Sequence, residues 1–204
     1  MLAFKQAKGE LKQRLASLND TLNRRMHAAT QLDYEDWLKS HQPFHWLAEF
    51  YQIIKGNGGF DVIIGNPPYV TFTDASLKYN VRQYSTYNTK NLFALCGERF
   101  TSLVCNNASI GYIIPLSGMS IDGFESLQNI IYSNCHSWNS YYSGDRNPSE
   151  LFTGVKIRAG IYISRHQKGN GRKYVGRYIK YSAAERGILF SKINYVEIKD
   201  YISA

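Results

Sequence analysis

A short apolar run that ends in two consecutive prolines constrains this chain more than any other feature. Residues 60–65 (Phe-Asp-Val-Ile-Ile-Gly) follow a glycine-rich turn, and Asn66-Pro67-Pro68-Tyr69 comes directly after them. Short runs rich in β-branched residues are typical of strands that are buried on both faces of an α/β sheet. Two prolines fix φ twice and remove two backbone donors, so the predicted strand ends in a stiff turn. Because ligands bind beyond the carboxyl ends of strands in such sheets, this turn is a candidate functional site.

Apolar spacing on both sides of this run predicts a layered α/β fold. The leading residues place leucines at steps of three and four, as an amphipathic helix does. The patterns along the chain predict the following elements: helices at 4–27, 91–104 and 122–132, strands at 60–65, 110–115 and 155–163, and a strand at 174–180 that pairs near the last of these. We therefore expect two parts, an N-terminal helical segment of residues 1–54 and an α/β part of residues 55–204.

The basic residues are concentrated at one end of the chain. Residues 1–145 hold 12 Lys and Arg against 12 Asp and Glu, whereas residues 146–204 hold 12 against 4, which accounts for the whole net charge of +8. Such an excess is typical of a surface that follows nucleic-acid phosphates, since their neutralisation releases counterions. A lysine-rich solvated face explains the same charge equally well. The charge alone therefore leaves DNA binding and plain solvation open.

Composition also argues against several classes of protein. No stretch approaches the roughly 20 apolar residues of a membrane-spanning helix, and the N-terminus lacks the apolar segment of a secretory signal. The three cysteines, Cys96, Cys105 and Cys135, are odd in number and widely separated, which matches neither a disulfide framework nor a zinc site. His41 and His45 stand at helical spacing without a third ligand cluster nearby, so packing among aromatics is favoured and no metal is predicted. We expect a cytoplasmic protein that has no membrane partner.

The chemistry of the Asn-Pro-Pro-Tyr turn suits a conjugated amine. Such an amine is a poor nucleophile because its lone pair is delocalised. The Asn66 side-chain oxygen and the Pro67 main-chain carbonyl can each accept one of its N–H bonds, which favours a pyramidal nitrogen with an available lone pair. Tyr69 offers a flat ring on which a base flipped out of a duplex can stack. The alternative is purely structural, a rigid strand-to-loop turn with an aromatic plug.

The full run of residues 58–69 resembles motif IV of the adenine-specific DNA methyltransferases, in particular the type IIG restriction–modification and Eco57I-like enzymes. Three other segments are similar to those that flank this motif in the family: residues 43–50, 91–99 and 113–117. The resemblance implies a Rossmann-like sheet, S-adenosylmethionine as methyl donor, and adenine N6 in DNA as acceptor. The catalytic residues that it implies are Asn66, Pro67, Pro68 and Tyr69. The same chemistry would also serve the glutamine side chain of a protein or guanine N2 in RNA.

A later stretch, residues 144–158, resembles the motif VIII region of the same family. There an aromatic residue packs on the face of the flipped base opposite the tyrosine, and Phe152 is the matching position. The alternative for Phe152 is an ordinary core residue. Arg146, Lys156 and Arg158 are candidates for contacts with the DNA backbone, against the alternative of a plain exposed strand face.

One part of the family pattern is missing. Family members carry, before motif IV, a strand followed by a Gly-rich loop that holds S-adenosylmethionine, whereas residues 1–55 contain a single glycine, Gly9. We therefore expect a partial Rossmann-like methyltransferase sheet with an N-terminal amphipathic helix, in which residues 55–204 form the C-terminal half of the catalytic domain. The cofactor-binding residues are unknown, and a companion chain is expected to supply most of that site. A fragment, a split enzyme and a non-catalytic DNA-binding remnant all fit this pattern.

Overall fold

The computed structural model describes residues 2–144 without residue 78, residues 150 and 154, and residues 156–199 without residues 168 and 170. The chain divides into two compact units, Met1–Gly58 and Gly59–Ala204. The described residues of the first unit form helices, and the second unit contains the sheet. No helix in the described ranges is both long and apolar enough to cross a membrane.

The N-terminal unit begins with one long helix and continues with shorter ones. Its elements are α1 (Leu2–His27), α2 (Tyr34–His41), α3 (Trp46–Glu49) and a π-helical turn, Gln52–Gly56. α1 confirms the helix that the sequence predicts at 4–27. Asp33 caps α2, since its carboxylate accepts hydrogen bonds from the Glu35 and Asp36 amides at 2.9 and 3.3 Å. These bonds satisfy donors that the start of a helix leaves without partners.

The two histidines at helical spacing take part in packing and hydrogen bonds. His41 stacks on the buried Trp37 with ring centroids 5.2 Å apart, and its Nδ1 lies 3.2 Å from the Trp37 carbonyl. His45 Nε2 lies 2.7 Å from the Asn23 side-chain oxygen. Across the part of the chain that the structure describes, no three His, Cys, Asp or Glu side chains are grouped so as to hold a metal ion.

The C-terminal unit is built on a six-stranded mixed sheet with the order β1-β2-β4-β3-β5-β6. Its strands are β1 (Phe60–Gly65), β2 (Val104–Pro115), β3 (Cys135–Tyr142), β4 (Ala159–His166), β5 (Lys173–Ile179) and β6 (Tyr195–Ile198). β1 runs parallel to β2, and β4 is antiparallel to both of its neighbours, β2 and β3. β5 is parallel to β3, and β6 is antiparallel to β5. The predicted α/β fold, a partial Rossmann-like sheet with an N-terminal helix, is confirmed.

Helices of the same unit pack on one face of this sheet. They are α4 (Leu92–Leu103), α5 (Ser117–Ser120) and α6 (Glu125–Tyr132). The chain passes from β1 through α4 to the parallel strand β2, and Phe93 and Ala94 of α4 pack with Ile110 and Ile114 of β2. Leu127 of α6 is fully buried in the same cluster. Burying a side chain of this size contributes about 1.5–3 kcal/mol, so the cluster fixes α4 and the β1–β2 pair relative to each other.

A second cluster covers part of the opposite face. There a 3₁₀ segment, Ala183–Lys192, packs Leu189 against Tyr142 of β3 and Ile179 of β5. Toward β1 the same face is open to solvent, since Val62 is 58% exposed and Ile64 is 83% exposed. On this face the second cluster therefore covers parts of β3 and β5, whereas the face is open from β1 to β4, where Ile163 is 44% exposed.

Several expectations about strands need correction. β1 is not buried on both faces as its apolar run predicts, because it is the edge strand and its Val62 and Ile64 are exposed. The sequence does not predict β3, because its residues Cys-His-Ser-Trp-Asn-Ser-Tyr-Tyr form no apolar run and its buried Ser137, Asn139 and Ser140 are polar. β3 lies between β4 and β5, so β5 pairs with β3 and does not pair with the predicted strand at 155–163. That predicted strand begins later, at Ala159. β6 is a further strand that the sequence does not predict.

Candidate active site

The Asn-Pro-Pro-Tyr turn follows β1 at the carboxyl edge of the parallel pair β1–β2. The last residue of β1, Gly65, lies opposite Tyr112 of β2. Asn66 and Pro68 are exposed, whereas Pro67 is buried. Each proline ring holds φ at about −65°. The turn is therefore stiff, and it keeps Asn66 at the surface while Pro67 anchors the backbone.

Tyr69 connects the turn to the sheet. Its hydroxyl lies 2.6 Å from Asn66 Oδ1 and 3.0 Å from the Ile113 carbonyl oxygen. Its partly buried ring packs on the core cluster and meets Phe93 edge to face, with 6.5 Å between centroids. Burial raises the pKa of Tyr69 to about 12. The hydroxyl is therefore protonated at neutral pH and acts as a hydrogen-bond donor.

The Tyr69 hydroxyl has one proton for two acceptors. The proton is shared between the Asn66 side-chain oxygen and the Ile113 carbonyl. The Asn66 oxygen has two lone pairs, so it can accept a second donor while Tyr69 continues to bond to Ile113. The contact thus orients the Asn66 amide, and the Asn66 oxygen can still accept a hydrogen bond from an amine.

The Pro67 carbonyl is the second acceptor that the sequence predicts. Among the described residues, no hydrogen-bond donor reaches this oxygen. The residue that follows it, Pro68, has no N–H group of its own. The turn therefore places two oxygens on neighbouring residues, one oriented by Tyr69 and one without a partner in the described part of the chain.

The backbone after the turn is tied to the start of α4. The Leu92 amide donates to the Val70 carbonyl at 2.9 Å, and the Phe72 amide donates to the Lys90 carbonyl at 2.8 Å. These two bonds close residues 73–89 into a loop whose ends are fixed beside the turn. We call this segment the 73–89 loop. The turn and the first residues of α4 are thereby held together.

Glu98 of α4 holds the 73–89 loop from the other side. Its carboxylate accepts bonds from the Thr86 amide at 2.9 Å, the Thr86 hydroxyl at 2.8 Å and the Ser85 amide at 3.1 Å. These donors belong to the start of a 3₁₀ segment, Ser85–Thr89. Glu98 belongs to residues 91–99, one of the segments that resemble the family in sequence. In the structure its carboxylate binds this loop, and no sequence spacing indicates that partner.

Asp74 is the centre of a group of hydrogen bonds within and next to the 73–89 loop. Its carboxylate accepts hydrogen bonds from Tyr87 Oη at 2.6 Å, Lys90 Nζ at 2.8 Å and Arg82 at 3.1 Å. The bond from Lys90, followed by the bond from Tyr87, lowers the pKa of Asp74 to about 2. Lys90 Nζ also lies 3.6 Å from the centroid of the Tyr87 ring. This cluster has no signature in the sequence, because its members are separated along the chain and match no motif.

Two of the predicted DNA-contact residues lie at the same edge of the sheet as the turn. Because β4 is antiparallel to β2, its first residue, Ala159, pairs with Pro115 at the carboxyl end of β2. Lys156 and Arg158 directly precede β4, and both side chains are exposed. The Leu116 amide donates to the Arg158 carbonyl at 2.9 Å, which ties this segment to the end of β2.

The expectation that Lys156 and Arg158 sit on a strand is wrong, since β4 starts only after them. Their apolar–polar alternation reflects a connecting segment that runs along the sheet edge. Arg146 and Phe152, the other two candidates in this stretch, lie outside the described residues.

An apolar cleft adjoins the turn on the open face of the sheet. It has a volume of about 630 Å³, and its apolar side chains include Val62 and Ile64 of β1 and Ile113 of β2. Asn66 lies at its edge. S-adenosylmethionine has charged and hydroxyl groups that need several polar partners, as ligand sites provide. This cleft offers few of them, and β1 and β2 both run into prolines instead of a Gly-rich loop. The described residues therefore do not form a complete site for this cofactor.

Comparison with known proteins identifies the family. The Eco57I restriction-modification methylase family matches residues 1–147. A putative type II restriction enzyme and methyltransferase of Methanocaldococcus jannaschii is 38% identical over 122 residues, which are 60% of this chain and 10% of that protein.

Solved structures show the same fold at lower identity. A nuclease-deletion mutant of the type ISP restriction-modification enzyme LlaGI, in complex with a DNA substrate mimic, has a TM-score of 0.58 at 14% identity, over 78% of this chain and 18% of that one. The DrdV–DNA complex has a TM-score of 0.55 at 14% identity, over 70% of this chain and 17% of that one. The chain thus spans a tenth of the curated relative and less than a fifth of either structure. With a family match across most of its length, the chain belongs to the Eco57I restriction-modification methylase family.

Proposed function

We propose that this chain supplies the amine-binding half of the active site of an adenine-specific DNA methyltransferase, which transfers a methyl group from S-adenosylmethionine to adenine N6. Residues 55–204 would be the C-terminal half of its catalytic domain. The observation that carries the proposal is the turn after β1, where the oriented Asn66 oxygen and the unengaged Pro67 carbonyl are neighbours. Membership of a methylase family supports the same reaction class.

The two oxygens match the two N–H bonds of the adenine amine. With one bond to Asn66 Oδ1 and one to the Pro67 carbonyl, the nitrogen is held at a fixed place and its lone pair is directed away from the turn. The cofactor supplies an electrophilic methyl group carried on a sulfonium. The contribution of the chain is then positioning and electrostatic preorganisation, which requires no covalent enzyme intermediate.

The adenine must leave the duplex to reach this turn. We propose that Tyr69 stacks on one face of the flipped base with the part of its ring that the core does not cover. Phe152 is proposed for the other face, on its resemblance to the family position alone. Base–aromatic stacking contributes about 1–3 kcal/mol per base, which offsets part of the cost of unstacking.

DNA is the proposed substrate because of what surrounds the turn. Lys156 and Arg158 have exposed side chains at the same sheet edge as Asn66, where they would contact phosphates, and Arg146 is proposed for the same role. The LlaGI and DrdV structures that share the fold are complexes with DNA or a DNA mimic. Both arguments favour DNA over a protein glutamine or an RNA guanine.

A companion chain is proposed for most of the S-adenosylmethionine site. The turn binds the amine, and the described residues beside it are too apolar for the cofactor. Titration of the chain alone with S-adenosylmethionine in a calorimeter is therefore expected to give no binding. Binding by the chain alone would contradict this division of the site.

The central test removes the Asn66 oxygen. In the assembly that contains the cofactor half, Asn66→Ala is expected to lower incorporation of labelled methyl groups into DNA by about 10²-fold or more, the usual effect of losing a preorganised hydrogen-bonding partner. Asn129→Ala, a change on the exposed side of α6, is the matched control and should leave the rate unchanged. Mass spectrometry of the nucleosides should identify the product as N6-methyladenine.

Each other outcome contradicts a stated part of the proposal. Undiminished incorporation in Asn66→Ala removes that residue from the active site. If the methyl groups are found on RNA guanine or on a protein glutamine, the substrate is that group and not adenine in DNA. DNA binding without methylation of any of the three identifies a non-catalytic binding module.

A further inference from the structure

The 73–89 loop surrounds a cavity of its own. The cavity has a volume of about 290 Å³, and every described residue that lines it belongs to this loop. Its apolar and aromatic walls are formed by Leu77, Tyr79, Val81 and Tyr87. The methyl transfer proposed above does not use this cavity, because the turn at Asn66 and Pro67 holds the amine. The cavity is therefore a candidate for a second ligand site.

One charged pair provides hydrogen-bonding groups in the cavity. Asp74 and Arg82 both line it, and Arg82 Nη2 donates to Asp74 Oδ2 at 3.1 Å. A carboxylate accepts hydrogen bonds at about four positions, and three are taken by Arg82, Lys90 and Tyr87. A guanidinium has five N–H donors, and the Arg82 side chain is 70% exposed. The pair therefore still offers an acceptor and several donors to a ligand.

These walls and polar groups suit a planar base better than a phosphate. Ligand sites combine apolar and aromatic walls with a few polar groups that fix the orientation of the ligand. The Asp74 carboxylate repels a phosphate but accepts an N–H group, and the Arg82 guanidinium donates to a carbonyl oxygen. An N–H group that lies beside a carbonyl is what the pairing edge of thymine presents.

The proposed reaction itself frees the pairing edge of a thymine. An adenine that leaves the duplex to reach Asn66 breaks its base pair, and its partner thymine loses its hydrogen bonds. The cavity is within reach of that base pair, because Asp74 follows Tyr69 by five residues, which span at most about 18 Å when extended. The bond from the Phe72 amide to the Lys90 carbonyl keeps the start of the loop beside the turn.

We propose that the cavity of the 73–89 loop binds the thymine that is left unpaired opposite the flipped adenine. The thymine N3–H donates to Asp74, Arg82 donates to the neighbouring thymine oxygen, and the apolar and aromatic walls contact the ring. These contacts offset part of the cost of opening the base pair. The inference rests on the proposed function, because only a flipped adenine leaves this thymine without its partner.

The test asks whether Arg82 acts through the thymine. A duplex that the complete enzyme binds tightly is selected from random sequences, and each thymine opposite an adenine is replaced in turn by difluorotoluene. This isostere keeps the shape of thymine but has fluorine in place of both oxygens and C–H in place of N3–H. Affinities are measured by fluorescence anisotropy for the parent enzyme, Arg82→Ala and Gln83→Ala. Gln83 is the exposed neighbour of Arg82 and does not line the cavity, so Gln83→Ala is the matched control.

We expect Arg82→Ala to weaken binding of the thymine duplex about tenfold, the effect of losing a hydrogen bond to a charged group. With difluorotoluene opposite the methylated adenine, Arg82→Ala and the parent should bind equally, and Gln83→Ala should match the parent on every duplex. The isostere pairs weakly with adenine in all complexes, so comparing enzymes on the same duplex removes that effect. Equal losses on all duplexes overturn the proposal, because Arg82 then contacts a phosphate or only supports the loop. A dependence on a thymine opposite an unmethylated adenine also overturns it.

A crosslink locates the thymine independently of affinity. 4-Thiothymine is placed opposite the methylated adenine, the complex is irradiated, and mass spectrometry identifies the attached peptide. The expected attachment lies within residues 74–87, and attachment only outside the 73–89 loop contradicts the proposal.

The two proposals fail separately. If a thymine depends on Arg82 and crosslinks to the loop but no adenine is methylated in any duplex, the loop still binds a base and the methyltransferase function is refuted. Adenine methylation with equal losses on all duplexes refutes the thymine site alone.

Discussion

Tyr69 contributes a hydroxyl and a ring, and one substitution separates them. Tyr69→Phe keeps the ring against Phe93 and removes the proton shared by Asn66 and Ile113. A net hydrogen bond of about 0.5–1.5 kcal/mol corresponds to a rate loss of up to about tenfold. We expect this loss in kcat, because the Asn66 amide is less well oriented, with little change in KM for DNA.

Tyr69→Ala is the comparison for this prediction. It also removes the surface on which the base stacks, so KM for DNA should rise as well. The values of kcat and KM for the two variants are measured by steady-state methylation kinetics of the complete enzyme. Identical kinetics for Tyr69→Phe and Tyr69→Ala would show that the hydroxyl has no role separate from the ring.

At the residue scale, the sequence predicts the identity and position of the turn but not the contacts of its side chains. The two acceptor oxygens of Asn66 and Pro67 follow from local sequence, because the prolines restrict the backbone wherever they occur. The bond from Tyr69 to Ile113 joins residues 44 positions apart. It depends on the register of β1 against β2, which no local pattern specifies.

Among the elements, the 73–89 loop depends most on ionised side chains. The pKa of Asp74 is lowered to about 2, first by the hydrogen bond from Lys90 and then by that from Tyr87. A lowered pKa means that the ionised carboxylate stabilises the folded loop. This stabilisation is complete above the unfolded aspartate pKa of about 3.9, and it is lost as the pH falls toward about 2.

Carbon NMR titration of the Asp74 carboxyl should show this displaced midpoint directly. At neutral pH, Asp74→Asn removes the charge and should make the 73–89 loop more accessible to limited proteolysis. Asp122→Asn, an exposed aspartate outside the loop, should leave cleavage unchanged. A normal aspartate midpoint, together with unchanged cleavage of Asp74→Asn, would refute the anchoring role.

The elements that the sequence predicts are those with apolar periodicity, such as β1, α4 and α6. β3 is a central strand, yet Ser137, Asn139 and Ser140 are buried in it. It is recognisable only from its place between β4 and β5, since the neighbouring strands supply its backbone hydrogen bonds. A strand that is defined by its neighbours has no pattern of its own for sequence analysis to find.

For the whole molecule, the basic end of the chain divides into internal and external charges. Lys173 is buried and donates to the carbonyls of Tyr132 and Cys135. Lys192 pairs with Glu185. Lys192 is only half-buried, and the net charge of +8 already counts Glu185, whereas the buried Lys173 is a positive charge that phosphates do not reach. The sequence gives the charge, but only the packing separates the two groups.

The side chains of Lys156 and Arg158 are exposed. Their contribution to DNA affinity can be measured from how that affinity depends on salt concentration. If each contacts one phosphate, the double variant Lys156→Ala/Arg158→Ala should reduce the slope of log affinity against log salt by about 1.8. The measurement is DNA affinity by fluorescence anisotropy at several salt concentrations, with the complete enzyme.

Lys5→Ala/Lys8→Ala on α1 is the control, because it removes the same charge from the N-terminal unit. Equal slopes for both double variants would mean that DNA affinity depends on the net charge of the protein and not on charges at the sheet edge beside the turn. An unchanged slope in Lys156→Ala/Arg158→Ala would remove these two residues from the DNA interface.

The two backbone bonds that join Val70 to Leu92 and Phe72 to Lys90 have a consequence for how this protein can vary. A loop whose ends are fixed changes length at low cost, since doubling its length adds only about 0.6 kcal/mol of closure entropy. Insertions at the exposed residues 79–80 are therefore absorbed without displacing Asn66. Evolution and protein engineering can both lengthen the chain there, next to the chemistry and without altering it.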